Sequence, residues 1–493
     1  MTTTKPMETS SGPLQDIRWF DYITINANWF ALTTRSQVLT PLVVPLLVQQ
    51  FVGEGSKGSY VGMMRLWALM AALLFQALMG VLSDRTRSRW GRRRPFILLG
   101  TVGEVVVFTL IGLVAGLEGM TGYWLLFGLF ILSMLTSNTS HAATNALIPD
   151  LVPDQKKGIF SGIKAALELP IPLIFVSFVI GRIIANGNLV LALAVLSLVM
   201  VVAMGITMFV RERRLASEPE PVDWRSLGRL VLMTITFTII ILAAGAGVRA
   251  LTQWAQPLGR TAALAVVGVA GVLGMGLAVI AGVWLSTRIA MGQLAERSHS
   301  FRWWVVNRLA FLVGANNMAA FMVFFLQEKF PAFSQARAAG PAATILMFVG
   351  IFILVTALPG GWLADRVGKK RVILASGLIA SAGTFVVVFS PSLNPIYLGG
   401  SIIGAGVGLF YAASWALGTQ MVPSQRAGQL LGIQNLAGAG AGAVGAYIGG
   451  PIADEMSYTL LIGLYGLLML LSVIALLGVE DTGAEGGHAV PAA

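Results

Sequence analysis

Fourteen apolar runs, each long enough to cross ~30 Å of hydrocarbon as a helix, follow one another along the chain with short polar interruptions. They lie near residues 23–50, 59–83, 95–117, 122–148, 159–184, 188–210, 227–247, 262–288, 303–328, 339–363, 371–390, 396–420, 429–450 and 458–479. Pro170 and Pro172 interrupt the fifth run. A membrane helix tolerates such breaks because neighbouring groups satisfy the freed backbone. The pattern predicts an all-α integral membrane protein with fourteen transmembrane helices.

Two short texts recur at matching places in the series. Gly80, Asp84 and Arg85 in GVLSDRTRSRWGRRR return as Gly361, Asp365 and Arg366 in GWLADRVGKKR. Pro153, Gln155, Gly158, Gly162 and Ile163 return, without gaps, as Pro423, Gln425, Gly428, Gly432 and Ile433. Paired half-repeats in a long apolar chain are the mark of a secondary transporter built from two related bundles. They divide the spans into six, two and six: an N-terminal tail (1–22), a first bundle (23–210), a linker with two inserted helices (211–302), a second bundle (303–479) and a C-terminal tail (480–493).

Charge sets the orientation. Only 11% of residues are charged and 56% are hydrophobic, so the net charge of +11 does not indicate nucleic acid. The basic residues cluster in alternate loops. Lys57, Arg249, Arg260, Lys329 and Arg337 fall on one side, and most of the remaining loop lysines and arginines on the other. The positive-inside rule places both termini in the cytoplasm of a cell-membrane protein. The polar start MTTTKPMETSSGPLQDIR lacks a signal-peptide core, so the first span is expected to be retained. Before span seven, the charged segment around Trp224 is read as a solvated linker, or as one lying on the anionic inner leaflet. Cysteine is absent, which removes disulfides and Cys-based metal sites or nucleophiles. No P-loop, HExxH or nucleophile-elbow pattern occurs, so neither an enzyme nor a bound cofactor is expected. The glycines around Gly404 to Gly408 lie inside a span and form no dinucleotide loop, and AGAGAGAVGAYIGG in span thirteen offers small faces for close packing.

The loop SDRTRSRWGRRRPF resembles that of the glycoside–pentoside–hexuronide and sucrose-transporter branch of the major facilitator superfamily, and GWLADRVGKKR resembles the general superfamily motif. Span one is similar to the first helix of sucrose transporters around Trp29, Ala31, Leu32, Thr40 and Pro41. The resemblance covers both six-helix halves but not the insertion. It implies the major facilitator fold and a coupled carrier of a sugar, glycoside or hexuronide, driven by a proton or sodium ion. It also implies a gating role for Asp84, Arg85, Arg89, Asp365 and Arg366, whose contacts would exist in one transport state and break in the other. Arg92, Arg93 and Arg94 are read as positive-inside anchors. Asn145 stands where sucrose transporters have an arginine, which argues against sucrose.

Ionisable and amide groups at membrane depth are costly and mark candidate sites. Span one places Thr24, Asn28 and Arg35 on one face, and span two aligns Arg65, Gln76 and Ser83. Span four carries Asn138, His141 and Asn145, span nine Arg308, Asn316 and Asn317, and span twelve Tyr411 and Trp415. The superfamily resemblance makes spans one, four, nine and twelve the solute-lining helices. A histidine here can titrate near neutrality or simply hold a hydrogen bond, and the aromatic pair can stack on a sugar ring or pack. Glu104 and Glu168 are the two deep acids and the candidates for proton coupling; Lys164 is a natural i,i+4 partner for Glu168, and an arginine such as Arg35 or Arg65 for Glu104. The surplus of Arg35, Arg65, Lys164, Arg182 and Arg308 over these acids suits an anionic solute such as a hexuronide. Two other functions remain open on the sequence: a fourteen-span exporter of drugs or metabolites, and a non-transporting assembly factor on the same fold.

Overall fold

The computed structural model describes residues 14, 16–212, 224–291, 299–421 and 427–480. The linker stretch 213–223, residues 1–13, 15 and 481–493 of the tails, residues 292–298, and the repeat residues Pro423 and Gln425 lie outside the described residues. Among the described residues, thirteen helices are long and apolar enough to cross a membrane. They are α1 (Asp21–Val52), α2 (Lys57–Arg85), α3 (Arg94–Val114), α4 (Gly119–Leu151), α5 (Asp154–Ala185), α6 (Leu189–Thr207), α7 (Trp224–Leu258), α8 (Arg260–Ile289), α9 (His299–Lys329), α10 (Gln335–Val367), α11 (Lys369–Phe389), α12 (Leu393–Met421) and α14 (Tyr458–Gly478). Between the last two runs α13 (Ala427–Glu455), 29 residues long and placed where the thirteenth apolar run was expected. The protein is an all-α integral membrane protein of fourteen helices, as the hydropathy pattern predicts.

α1 and α9 form the centre. Their apolar windows are 72% and 83% buried, against 28% for α5 and for α6. α1 changes pitch at Leu39–Val43, a π turn around Pro41, whose missing N–H removes one rung of the ladder. α5 breaks at Leu169, immediately before Pro170, and makes a second π turn at Val176–Ile180. These two irregular helices both meet the second half.

Glycine sets how closely the halves approach. A Cβ on Gly62 of α2 would lie 2.2 Å from the Ala446 carbonyl oxygen of α13, and one on Gly450 would lie 2.2 Å from that of Gly58. Backbone therefore touches backbone there, as small residues permit between membrane helices. The α5–α10 pair also meets at glycines, but there small or apolar side chains fill the space over them. A Cβ on Gly181 would stand 2.7 Å from Ala343, and one on Gly350 would stand 2.0 Å from Leu173. All these contacts lie toward the membrane face opposite the chain ends, here called the far face. Toward the other, terminal face, Gly80 on α2, Gly438 on α13, Gly158 and Gly162 on α5 and Gly361 on α10 have open space where a Cβ would be. The halves thus form a V that is closed at the far face.

The α7–α8 hairpin seats on the seam through α13. Phe237 of α7 is fully buried, with its ring against Gly440 of α13 and Gly282 of α8. Tyr447 of α13 fills the space over Gly245 of α7, and Ile452 packs over Gly271 of α8. Trp224, the first residue of α7, is 73% exposed.

A side chain cannot fit between α2 and α13 at Gly62. Gly62→Leu is expected to lower stability by about 1–3 kcal/mol through overpacking. Gly55→Ala, where a Cβ meets open space, is expected to be neutral. Thermal unfolding of both variants in detergent micelles checks this; equal melting temperatures would show that the α2–α13 contact does not form.

Candidate functional site

A cavity of about 370 Å³ lies in the V, between the halves. α1 contributes Ser36 and Gln37 just before its π turn and Thr40 and Pro41 within it. Arg65 and Leu69 of α2 stand one and two turns past the Gly62 contact, where the helices begin to part. From the second half come Asn316 of α9, Tyr411 of α12 and Gly438 and Gly442 of α13. α10 supplies an apolar wall that includes Leu346, Val349 and Ile353. The site thus joins an apolar body to a few polar groups, the usual composition of a small-molecule pocket.

Arg65 is the one charged group among the described lining residues. It is 6% exposed, and among the described residues its Nε and Nη1 have no hydrogen-bond partner and it makes no ion pair. Asn316 donates weakly to the Gly438 carbonyl at 3.4 Å, leaving its amide largely available. The hydroxyl-bearing ring of Tyr411 also meets Arg308, whose guanidinium carbon lies 6.0 Å from the ring centre.

The other polar residues picked out in the spans do not line this cavity. Asn28 donates to Ser140 Oγ at 2.9 Å and to Thr144 Oγ1 at 2.6 Å, tying α1 to α4. Asn317 donates to the carbonyls of Val313 and Ala441, tying α9 to α13. Asn138 bonds back to Met134 in its own helix at 2.7 Å. Arg308 donates to Ser414 at 3.2 Å and is 7% exposed. Trp415 is 46% exposed, outside the cavity.

Two buried charge pairs occupy the first half. Arg35 Nε donates to Glu104 at 2.7 Å, and Ser133 and Thr136 of α4 complete the carboxylate's shell. Glu104 is fully buried, so the pair is sealed from the cavity. Lys164 lies 3.6 Å from Glu168, whose side chain is 40% exposed. The Lys164 ammonium also sits 3.9 Å above the Trp29 ring. Trp29 in turn meets His141 edge-on, and His141 bonds to Gln76 at 2.9 Å and to Asn145 at 3.3 Å. These residues of α1, α2, α4 and α5 make one polar patch.

The loop motif after α2 is a network rather than a set of anchors. Arg93, 4% exposed, donates to Ser83 and Asp150 at 2.9 Å and pairs with Asp84. Arg92 pairs with Asp150 at 2.7 Å. Glu212, beyond α6, accepts from the backbone N–H groups of Arg92, Arg93 and Arg94, capping the first turn of α3. Burial pushes the Glu212 carboxyl up, against the pull of those N–H groups. Reading Arg92 and Arg93 as simple anchors therefore missed their part; burial of a loop arginine leaves no periodic signal. Arg85 ends α2, and Arg89 is exposed. In the second copy Asp365 is exposed and makes no ion pair among the described residues, while Arg366 stacks over Trp362 at 4.3 Å.

Hydrogen bonds between described residues of the two halves lie only toward the far face. Gln327 of α9 donates to Gln49 at 3.0 Å and accepts from Lys57 at 3.3 Å. Asp454 of α13 accepts from the Gly58 and Ser59 N–H groups at 2.8 and 2.7 Å, capping α2 across the seam. Ser177 of α5 bonds to Thr344 of α10 at 3.1 Å. Sequence reasoning passed over Gln49, Gln327 and Asp454 because they lie at span ends, where polar residues are commonplace.

The family described as the Major Facilitator Superfamily matches residues 28–334 and 309–492. The minor myo-inositol transporter IolF of Bacillus subtilis is 34% identical over 102 residues, 21% of this chain and 23% of that protein. An uncharacterised symporter of Synechocystis is 33% identical over 92 residues, 17% of each chain. The chain thus matches less than a quarter of the length of these curated relatives. Among solved structures, the nucleoside transporter NupG superposes with a TM-score of 0.63 at 11% identity, covering 93% of this chain and 99% of that one. The POT family transporter PepTSo gives 0.64 at 15% identity, covering 94% and 98%. These likenesses are of fold, and with the family match over both halves they lead to one conclusion: the chain belongs to the Major Facilitator Superfamily.

Proposed function

We propose that this protein is a secondary active transporter that carries a sugar-like solute across the cell membrane by alternating access. The observation behind this reading is the V: a polar-tipped cavity on the seam, bonded shut at the far face and splayed at the other. With the positive-inside asymmetry, the terminal face is cytoplasmic and the structure is the inward-open state. Uptake would reverse the V, breaking the bonds of Gln327 and Asp454 and bringing the Asp84 and Asp365 loops into play as the gate. The inositol transporter among the relatives supports a polyhydroxylated solute. Gln37, Asn316 and Tyr411 are the groups available to its hydroxyls.

Coupling to a proton or sodium ion falls to Glu168. Its pairing with Lys164 is loose and its carboxylate reachable, so its charge can change with state. Glu104 is enclosed by Arg35, Ser133 and Thr136 and serves as a structural counterion.

Two outcomes follow. In proteoliposomes, Glu168→Gln abolishes accumulation of labelled myo-inositol or glucose under an inward proton or sodium gradient but leaves exchange at equilibrium intact. Glu104→Gln instead lowers stability by about 3–5 kcal/mol, because it strands the buried Arg35 charge. Gradient-driven accumulation that survives Glu168→Gln removes that residue from coupling. Because the chain has no cysteine, Gln49→Cys with Gln327→Cys can be bridged by a short bis-methanethiosulfonate, which forms a reducible disulfide with each thiol and releases methanesulfinate. Bridging is expected to stop uptake and reduction to restore it; uptake that persists in bridged protein would mean that the far face does not open.

A further inference from the structure

We propose that Lys57, the first residue of α2, is the latch of the far face: its ammonium plugs an aromatic socket in the second half and has to leave it each time that face opens. This rests on the alternating-access reading above and deepens it by naming the residue that sets how readily the far face opens.

The first observation is where the ammonium lies. Lys57 is 5% exposed, and its Nζ stands 4.7 Å from the centre of the Phe324 ring of α9 and 5.5 Å from that of Tyr458 of α14. The two rings meet at 5.2 Å, and both are buried. Aromatic faces hold a cation electrostatically, and more strongly where water is excluded. Lys57 belongs to one half of the molecule and both rings to the other.

The second observation is that the carboxylates beside the socket are committed elsewhere. Asp454 accepts from the Gly58 and Ser59 N–H groups and, at 2.9 Å, from the Tyr458 hydroxyl. Glu328 accepts from the Tyr458 and Thr459 N–H groups at 2.7 and 3.1 Å, capping α14. Among the described residues, the one ion pair of Lys57 is with Glu54, at 2.5 Å. Glu54 lies three residues earlier in the same half, so that pair survives in either state. Its side chain is 73% exposed, where water weakens the pair. An interaction shared by two states does not shift the balance between them. The rings are lost when the halves part, so they are what the ammonium adds to closure. On leaving them it returns to water, which makes the latch releasable.

The test is labelling of a single cysteine. Gly438→Cys lines the cavity with open space for a side chain, and the chain has no other cysteine. In intact cells a membrane-impermeant maleimide reaches it only when the far face opens, so its labelling rate follows the open population. Lys57→Gln is expected to raise that rate about tenfold, the equivalent of about 1.4 kcal/mol. Lys57→Arg is expected to keep the parent rate, because arginine also stacks on rings. Phe324→Leu keeps an apolar side chain without a π face; it is expected to raise the rate alone and to add little in the Lys57→Gln background. Glu54→Gln is expected to change the rate by less than about twofold.

An unchanged rate in Lys57→Gln overturns the latch. Additive effects of Lys57→Gln and Phe324→Leu reduce the contact to packing and overturn it as well. A Glu54→Gln effect as large as that of Lys57→Gln overturns the socket in favour of the ion pair. If Lys57→Gln does not fold, Phe324→Leu against Glu54→Gln still decides between ring and carboxylate. The expected rates in a protein that accumulates no sugar uphold the latch and overturn the solute reading. A cysteine that stays unlabelled in every variant in intact cells, yet reacts in permeabilised ones, overturns both.

Discussion

The contact of α2 with α13 at Gly58, Gly62, Ala446 and Gly450 is the constraint on which the rest of the architecture depends. Only a residue without a side chain lets these backbones meet, and in lipid such packing replaces the hydrophobic drive that water would supply. The contact fixes the apex of the V on one side of the seam, and on the other α5 and α10 meet through side chains seated on Gly181 and Gly350. Past the apex, side chains return. Arg65 comes one turn after Gly62, and there the space between the halves opens into the cavity. The site is therefore the place where close packing stops.

Hydrocarbon imposes a second rule, that charge be answered inside the protein. The first half obeys it with Arg35–Glu104 and Lys164–Glu168, and these pairs differ in kind. One is sealed and hydrogen-bonded on both oxygens, so it braces α1, α3 and α4. The other is half-open, braced by the Trp29 face under the ammonium, and lies in a patch with His141 and Gln76. The two carboxylates thus differ sharply in burial, one enclosed and one 40% exposed. Arg65 and Arg308 depart from it, buried without an ion pair among the described residues, and of these two Arg65 lines the cavity.

The helices were legible because hydropathy at this length has one solution. Runs of twenty apolar residues become spanning helices whatever their neighbours. The inserted pair stood out through the repeats. Side-chain roles were less legible. Asn28, Arg65 and Asn317 all read as polar residues in apolar spans, yet Asn28 and Asn317 join helices and only Arg65 reaches the cavity. The difference lies in helix rotation and tertiary neighbours, which one sequence does not encode locally. Gln49, Gln327 and Asp454 were hidden for the opposite reason, since a polar residue at a span end carries no surprise. Only the partner across the seam gives them meaning.

The two copies of the charged loop show how a repeat can differ in state while agreeing in text. Asp84 is held by Arg93, which also grips Ser83 and Asp150, while Glu212 caps the helix that follows. In the second half, Lys370 reaches the Val479 carbonyl at 2.7 Å, again joining the loop to the end of its bundle's last helix. Asp365, however, stands exposed without an ion pair among the described residues. Each loop is therefore stitched to its own half, and neither aspartate makes a described hydrogen bond across the open side of the V. A rigid half that moves as one body needs such internal stitching, because a rocking motion transmits only as far as the bundle is stiff. Loops bound within their halves on the open face, and helix ends bound between halves on the closed face, are what one orientation of a two-position rocker requires.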